Sequence, residues 1–443
     1  MRRKTKCWAR FACLFLLGST TYAQSEQSLS NATAERLRIP LARIRSPQFE
    51  SQIIDFRSGI GPDEAATIAL YSNPALRSIR DRRGLAVAQL IQAGIVPNPV
   101  VSYARDFVTG GNTVGTTTGY TFSAGWEFSA LVPFLPKQTA ARKNLRSVDL
   151  DVAWQEWQVA MNARVAVYRV LALDAQVQRA RESNGGLQES TGAMREALNK
   201  HEKTVLDLSA VESASQDSLA TMLGLEQEFG RQRLGLNKVL GAEPAMNIRL
   251  RAGLVLPTHV DVANEHDDLL GLRQGYESQD ATVRAAILTQ FPKMSATFVR
   301  ASDTTNVHTS GFNISVDVPI FDRNQGVIAT ERATRQRLKD EYDQRVFEAR
   351  SDLAVAIADI RSLDRQVSAA QEALSVFERL VSSAETARAQ GNVDVLSYYT
   401  ARGTLLQKRI QLIKLQQQLL EAHTALEIAS GRYLPSNGSL KGK

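Results

Sequence analysis

Two kinds of hydrophobic periodicity alternate along this chain, and the alternation occurs twice. Tyr120, Phe122, Ala124, Trp126 and Phe128 take every second position, with Thr121, Ser123, Gly125, Glu127 and Ser129 between them. Phe312, Ile314, Val316 and Val318 repeat the device against Asn313, Ser315 and Asp317. A period of two predicts strands with one apolar and one polar face. Each strand has a weaker partner upstream, Val100 to Val108 and Lys293 to Arg300. The segments between, Thr109 to Gly119 and Ala301 to Ser310, are rich in Gly, Thr, Ser and Asn, so residues 100–129 and 293–319 each read as a β-hairpin.

The helical period takes over after each hairpin. No proline occurs between Pro136 and Pro244, or between Pro319 and Pro435. In the second stretch Ile360, Leu363, Val367, Ala370, Leu374, Phe377, Val381 and Ala384 form a 3-4 seam, and Leu412, Leu415, Leu419, Ala422, Leu426 and Ala429 form another. This is coiled-coil spacing. Gln390-Gly391-Asn392 interrupts the two seams and predicts a helix–turn–helix tip; the matching turn of the first copy falls near Asn199 to Thr204. A helix from Arg323 to Gln390 would be about 100 Å long. Asp322 is placed to cap it, with Gln325 as the return partner of a capping box. Pro136 suits the first turn of the equivalent helix. Two further helices, Asp63 to Val96 and Val262 to Gln290, lead into the hairpins. Leu76/Leu269, Arg80/Arg273, Pro99/Pro292 and Ser102/Ser295 keep an offset of about 193 residues, so the chain is an internal duplication.

Charge first points elsewhere. The net charge of +7 over 443 residues suggests a nucleic-acid partner. Yet Arg2, Arg3, Lys4, Lys6 and Arg10 supply five of those charges, ahead of any acid. They precede the apolar run Phe11 to Leu17 and a small-residue exit at Thr21-Tyr22-Ala23, the plan of a secretory signal peptide. The remainder is nearly neutral, which removes the nucleic-acid reading. Both cysteines, Cys7 and Cys13, fall in this segment, so the mature chain offers no disulfide or thiolate site. Cys13 sits within the apolar run, before Leu14-Phe15-Leu16-Leu17, which argues against lipidation. The chain divides into a signal peptide (1–23), an irregular segment (24–60), two repeats (61–245 and 246–434) and a polar tail (435–443).

No later stretch has the roughly 18 apolar residues of a spanning helix; Ala163 to Leu173 is broken by Arg164 and Arg169. An exported chain of this kind enters a membrane only through β-strands. Tyr120, Phe122, Trp126, Phe128, Phe312, Ile314 and Val316 then face lipid, and the polar faces line a lumen. The smallest membrane barrels use about eight strands, so four strands close only with copies from other chains.

The order of these parts resembles the TolC family of bacterial outer-membrane efflux proteins over nearly the whole span from Pro62 to Leu434. The resemblance is carried by Asp63-Glu64-Ala65, Asn73-Pro74-Ala75-Leu76, Gln92-Ala93-Gly94 with Pro97-Asn98-Pro99, the stretch from Val318-Pro319-Ile320-Phe321-Asp322 to Gly326, and Gly391-Asn392-Val393-Asp394-Val395-Leu396. It implies a mainly α protein with membrane β-strands. Three chains would build a twelve-stranded β-barrel on a twelve-helix periplasmic α-barrel. The stretch around Asp322 is most similar to the CzcC-like and CusC-like branch serving heavy-metal efflux. The implied partners are a homotrimer, a periplasmic adaptor, an inner-membrane pump of the RND type and outer-membrane lipid, with no cofactor. The resemblance places a periplasmic gate at Asp394, where the family's second aspartate is Ser397 here, with Asp207 as the acid of the first tip. It makes Asn199, Lys200, His201, Thr204, Gln390, Gly391 and Asn392 the adaptor-contacting tips.

His201, His259, His266, His308 and His423 lack chelating spacing, and no nucleophile–base pair or phosphate loop occurs, so the expectation is a passive duct and not an enzyme. Multidrug or type I secretion channels are the alternative cargo assignments. A periplasmic adaptor would carry one helical hairpin flanked by β-rich halves, and a structural coiled coil would leave the aromatic strands without a role.

Overall fold

The computed structural model describes residues 59–111, 114–251, 267–390 and 395–430. The expected signal peptide, nearly all of the 24–60 segment and the polar tail lie outside them.

Helix α1 (Pro62–Ser72) starts where Pro62 occupies the first helical position, and the Glu64 carboxylate accepts the Gly61 N–H. Its small side chains Ala65, Ala66 and Ala69 are completely buried. Helix α2 (Pro74–Ala93) follows after a single residue. The sequence suggested one helix from Asp63 to Val96; the structure breaks it at Asn73. Pro74 has no N–H to continue the ladder, and the extended Asn73 caps the next helix by accepting the Ala75 N–H at 2.9 Å. The amide of Asn73 also donates to the Val239 carbonyl at 2.8 Å, and the Ser72 hydroxyl donates to that of Leu240. The break is thus an anchoring point.

Strands β1 (Val100–Asp106), β2 (Gly119–Glu127), β3 (Lys293–Ser302) and β4 (His308–Asp317) form one antiparallel sheet in that order. The β2–β3 pairing joins the two repeats, with Phe122 opposite Arg300 and Trp126 opposite Ala296. One boundary departs from the alternation: Phe128 and Ser129 leave the strand and open a 3-10 turn, Phe128–Leu131. Here the chain swings from the sheet into a helix, and the turn is held by the Ser129 hydroxyl donating to Glu127 at 3.1 Å. Phe128 is therefore not a strand residue.

Helix α3 (Phe134–Asn199) has 66 residues and α4 (Val205–Leu240) has 36. In the second repeat, α5 (Asp267–Leu288) precedes β3, and α6 (Gln325–Ala389) and α7 (Val395–Ala429) have 65 and 35 residues. At 1.5 Å per residue, α3 and α6 each run about 100 Å. Pro136 lies in the first turn of α3, where its missing N–H costs nothing. Asp322 does not cap α6, which begins at Gln325 and not Arg323. Asn324 takes the cap position in the left-handed region (φ 60°), and Asp322 accepts its N–H at 2.8 Å. Gln325 reaches back to the Arg323 N–H, while the Asn324 amide donates to Ala286 of α5 at 2.9 Å. Local hydrogen bonding around an asparagine that tolerates φ > 0 wins over the simple capping box.

The two heptad seams meet: Val367, Leu415 and Leu419 are buried together, with Ile360, Leu363, Ala370 and Leu412 packed around them. Helix α3 touches α1, α2, α4, α5 and α7 and so links both repeats. Arg164 and Arg169, which interrupt its most apolar stretch, both reach α7. Arg164 pairs with Glu427 and, at 3.1 Å, with Asp63 of α1, while Arg169 pairs with Glu421 at 2.8 Å. Among the described residues no helix is long and apolar enough to cross a membrane.

Candidate conduit wall and helical tips

The register of the sheet decides which side chains share a face, because every second residue along each strand points the same way. Met294 and Val316 are opposite one another; Trp126, Ala296 and Ile314 form the next row. Then come Val101, Ala124, Phe298 and Phe312, with the Phe298 and Phe312 ring centroids 5.3 Å apart. Six of the seven side chains read as lipid-facing belong to this surface or its continuation at Tyr120 and Phe122. Phe312 is 84% exposed and Ile314 69%, so the described residues leave them uncovered. Trp126 is half-buried, and its indole N–H donates to the Pro97 carbonyl at 2.8 Å.

The opposite face is mainly polar, interrupted by Val100 and Val299. It carries Ser102, Thr121, Ser123, Thr297, Asn313 and Ser315, with charges at Asp106, Glu127, Lys293 and Asp317. Gly125 lies in it against Thr297, where a Cβ would sit 2.5 Å from the threonine hydroxyl. Strands β1 and β4 are the two edges of the sheet, and neither has a second strand partner among the described residues. Exposed edges of seven and ten residues invite pairing with another chain.

The first tip is a tight, fully bonded turn. Helix α3 ends at Asn199, and His201 stands in the left-handed region (φ 62°). The N–H of His201 bonds to Leu198 at 2.9 Å and that of Glu202 to Ala197 at 2.9 Å, the Schellman pattern with histidine where glycine is usual. Thr204 then caps α4 in a capping box with Asp207: the Thr204 hydroxyl accepts the Asp207 N–H at 3.2 Å, and the Asp207 carboxylate accepts the Thr204 N–H at 3.0 Å. That backbone bond, with the one from the Thr204 hydroxyl, holds the Asp207 carboxyl below the usual aspartate range. Asn199, Lys200, His201 and Thr204 are all exposed.

At the second tip Gln390 caps the C-terminus of α6 and is exposed, and Ser397 is exposed in the first turn of α7. Gly391, Asn392 and Asp394 lie outside the described residues. A feature not read from the sequence stands just behind them. Tyr398 and Tyr399 are 2% exposed, with ring centroids 5.0 Å apart, and pack with Leu187 and Met194 of α3, Val211 of α4 and Val395. The guanidinium groups of Arg388 and Arg402 lie 4.8 and 5.9 Å from the Tyr398 ring centroid. The two hairpins are therefore locked together by an aromatic pair at their ends. The signal in the sequence was the Tyr-Tyr step four residues before Arg402, but an aromatic pair on a helix is equally consistent with ordinary core.

A family model described as outer membrane efflux protein matches residues 260–432. The cation efflux system protein CusC of Escherichia coli (strain CFT073) is 24% identical over 279 residues, 57% of this chain and 60% of that protein. The chain thus spans less than two thirds of the CusC sequences it matches. The cobalt-zinc-cadmium resistance protein CzcC of Cupriavidus metallidurans is 22% identical over 401 residues, 85% of this chain and 92% of that one. Among solved structures, CusC superposes with a TM-score of 0.72 at 19% identity, covering 86% of this chain and 95% of that chain. The Campylobacter jejuni CmeC outer membrane channel gives 0.75 at 13% identity, covering 85% and 86%. At these identities the superpositions establish the fold.

Proposed function

We propose that this chain is an outer-membrane efflux protein whose helices stand in the periplasm, and that three copies form a passive exit duct. The family model matching residues 260–432 and the likeness of its fold to CusC support this. One observation carries the reading. A four-stranded sheet with an apolar and a polar face, open at both edges, continues directly into two helical hairpins about 100 Å long. Such a sheet is a segment of wall, and closing it needs further copies. The helices leave surface for those copies. Phe347, Val355, Val376 and Leu380 of α6 are all more than half exposed. They fall within about 80° of one another around the helix, an apolar stripe facing away from its own chain.

The duct does no chemistry; energy comes from an inner-membrane pump of the RND type, reached through a periplasmic adaptor that contacts the tips around Lys200 and Gln390. Asp394, just beyond the second tip, supplies one carboxylate per copy to the narrow periplasmic end. Heavy-metal cations are the cargo that fits best. The relatives named for cation efflux support this, as does the polar face of the sheet, where Asp106, Glu127 and Asp317 outnumber Lys293. Reversal potentials of the complex in planar bilayers under a salt gradient test it. Cation preference, lowered in Glu127→Gln/Asp317→Asn, is the expected result; anion preference, or none that these changes alter, contradicts the lumen assignment.

A further inference from the structure

The apolar face of the sheet does not stay apolar to its end. Beyond the row of Val101, Ala124, Phe298 and Phe312 comes the row of Tyr103, Phe122, Arg300 and Ser310. The last row holds Arg105, Tyr120, Ser302 and His308. From the last fully apolar row to this one is four residues along the strand, about 13 Å. Arg105, Arg300 and His308 are exposed. All three share the face that carries Phe312 and Ile314, the face that meets lipid. The rows lie at the turn end of both hairpins. The helices leave from the other end, so with the helices in the periplasm these side chains stand at the level of the outer leaflet.

A cation on the lipid side of a barrel is costly at mid-membrane and becomes tolerable only near the interface. Two guanidinium groups there, beside His308 and two tyrosines, need a counter-charge. No carboxylate shares these two rows. Asp106 follows Arg105 but alternates to the polar face. Asp303 lies in the β3–β4 turn, where its carboxylate accepts the N–H groups of Thr305 and Val307 at 2.8 and 2.9 Å and the Thr305 hydroxyl at 2.8 Å. The guanidinium of Arg105 rests 5.4 Å from the centroid of the Phe107 ring, which steadies it while leaving its N–H fork available. A guanidinium fork matches two phosphate oxygens. Tyr103 and Tyr120 are the amphipathic side chains of an interfacial girdle.

We infer that Arg105, Arg300 and His308, flanked by Tyr103 and Tyr120, form a collar that binds the phosphorylated headgroups of outer-leaflet lipid. The inference rests on the outer-membrane placement and adds to it a specific lipid chemistry. In the closed ring the β4 edge of one copy meets the β1 edge of the next. The turn-end rows that hold Arg300 and His308 then face the neighbouring copy's β1 edge, which carries Arg105.

The test uses the full chain purified as its oligomer and reconstituted with phosphatidylcholine plus either bisphosphorylated lipid A or enzymatically dephosphorylated lipid A. Copies of lipid A retained per oligomer are read by native mass spectrometry across a titration. Wild type is expected to half-saturate at about tenfold lower concentration of the phosphorylated form, the ratio equivalent to one charge-assisted contact. Arg105→Gln/Arg300→Gln should abolish that preference. Arg323→Gln, at the helical end of β4, should keep it. If the glutamine pair fails to assemble, Arg105→Lys/Arg300→Lys retains charge without the fork and should keep a reduced preference. Equal retention of both lipids by wild type, or a preference that survives in the glutamine pair, overturns the collar alone. A wild-type oligomer that enters neither bilayer overturns the outer-membrane placement with it.

Discussion

At the scale of single residues, backbone geometry constrains this chain more tightly than charge does. Gly241 closes α4 in the left-handed region (φ 65°), and a Cβ there would lie 2.3 Å from the Ser72 carbonyl oxygen. Gly241→Ala combines the positive-φ cost with that clash, so a loss of about 2 kcal/mol or more is expected, read as a lowered midpoint in denaturant. An unchanged midpoint would mean that the Ser72–Leu240 junction is not held as described. The acid of the first tip is constrained in the same way. The Asp207 carboxylate is occupied by Thr204, so Asp207→Ala and Thr204→Ala should each cost about 1 kcal/mol of helix stability and leave conductance alone. Asp394→Ala should instead raise conductance or relax a cation block, and its failure to do either would remove Asp394 from the gate. The resemblance pointed to both acids, but that Asp207 is bound to Thr204 as part of a capping box is seen only in hydrogen-bond geometry, which sequence spacing does not carry.

Elements are held to one another by apolar seams laced with ion pairs. Lys143 of α3 meets Glu277 of α5 at 2.6 Å, and Arg335 of α6 meets Asp280 of α5 at 2.8 Å. Hydrogen bonds from Lys143 and from Arg335 hold the Glu277 and Asp280 carboxyls below their usual values. At Glu421, burial pushes upward, but hydrogen bonds from Arg169 and Gln417 outweigh it and the net direction is down. A carboxyl depressed in the folded state stabilises it at every pH above the unfolded value, about 4, and that contribution is lost as pH falls through the lower folded value. Thermal melts of the helices should therefore be level between pH 7 and 5 and decline below about 4. A decline already complete by pH 5 would assign the acid sensitivity to other groups. The seams were legible because Val367, Leu415 and Leu419 obey a strict period that only a facing helix satisfies. The break at Asn73, the end of β2 before Phe128 and the start of α6 at Gln325 were not. Each depends on where one backbone N–H finds an acceptor, and an amphipathic pattern is indifferent to a two-residue shift. The Tyr398–Tyr399 lock was hidden for a related reason, since its partners on α3 and α4 are about two hundred residues away in sequence.

For the whole molecule the decisive fact is that one chain does not complete its own wall. The duplication supplies two hairpins, β2 pairs with β3, and β1 and β4 remain as edges. Every proposed property, from the duct and its cation preference to the tip gate and lipid collar, assumes that those edges meet on another copy. Ala104 on β1 and Thr309 on β4 stand in the same row, opposite Thr121 and Ala301, on the polar face. Cysteines introduced there as Ala104→Cys and Thr309→Cys, treated with a short bismaleimide in intact outer membranes, read the closure directly. Closure in threes predicts covalent dimers and trimers and nothing larger, formed only when both substitutions are present. Monomer alone, or an open ladder beyond three copies, would contradict it.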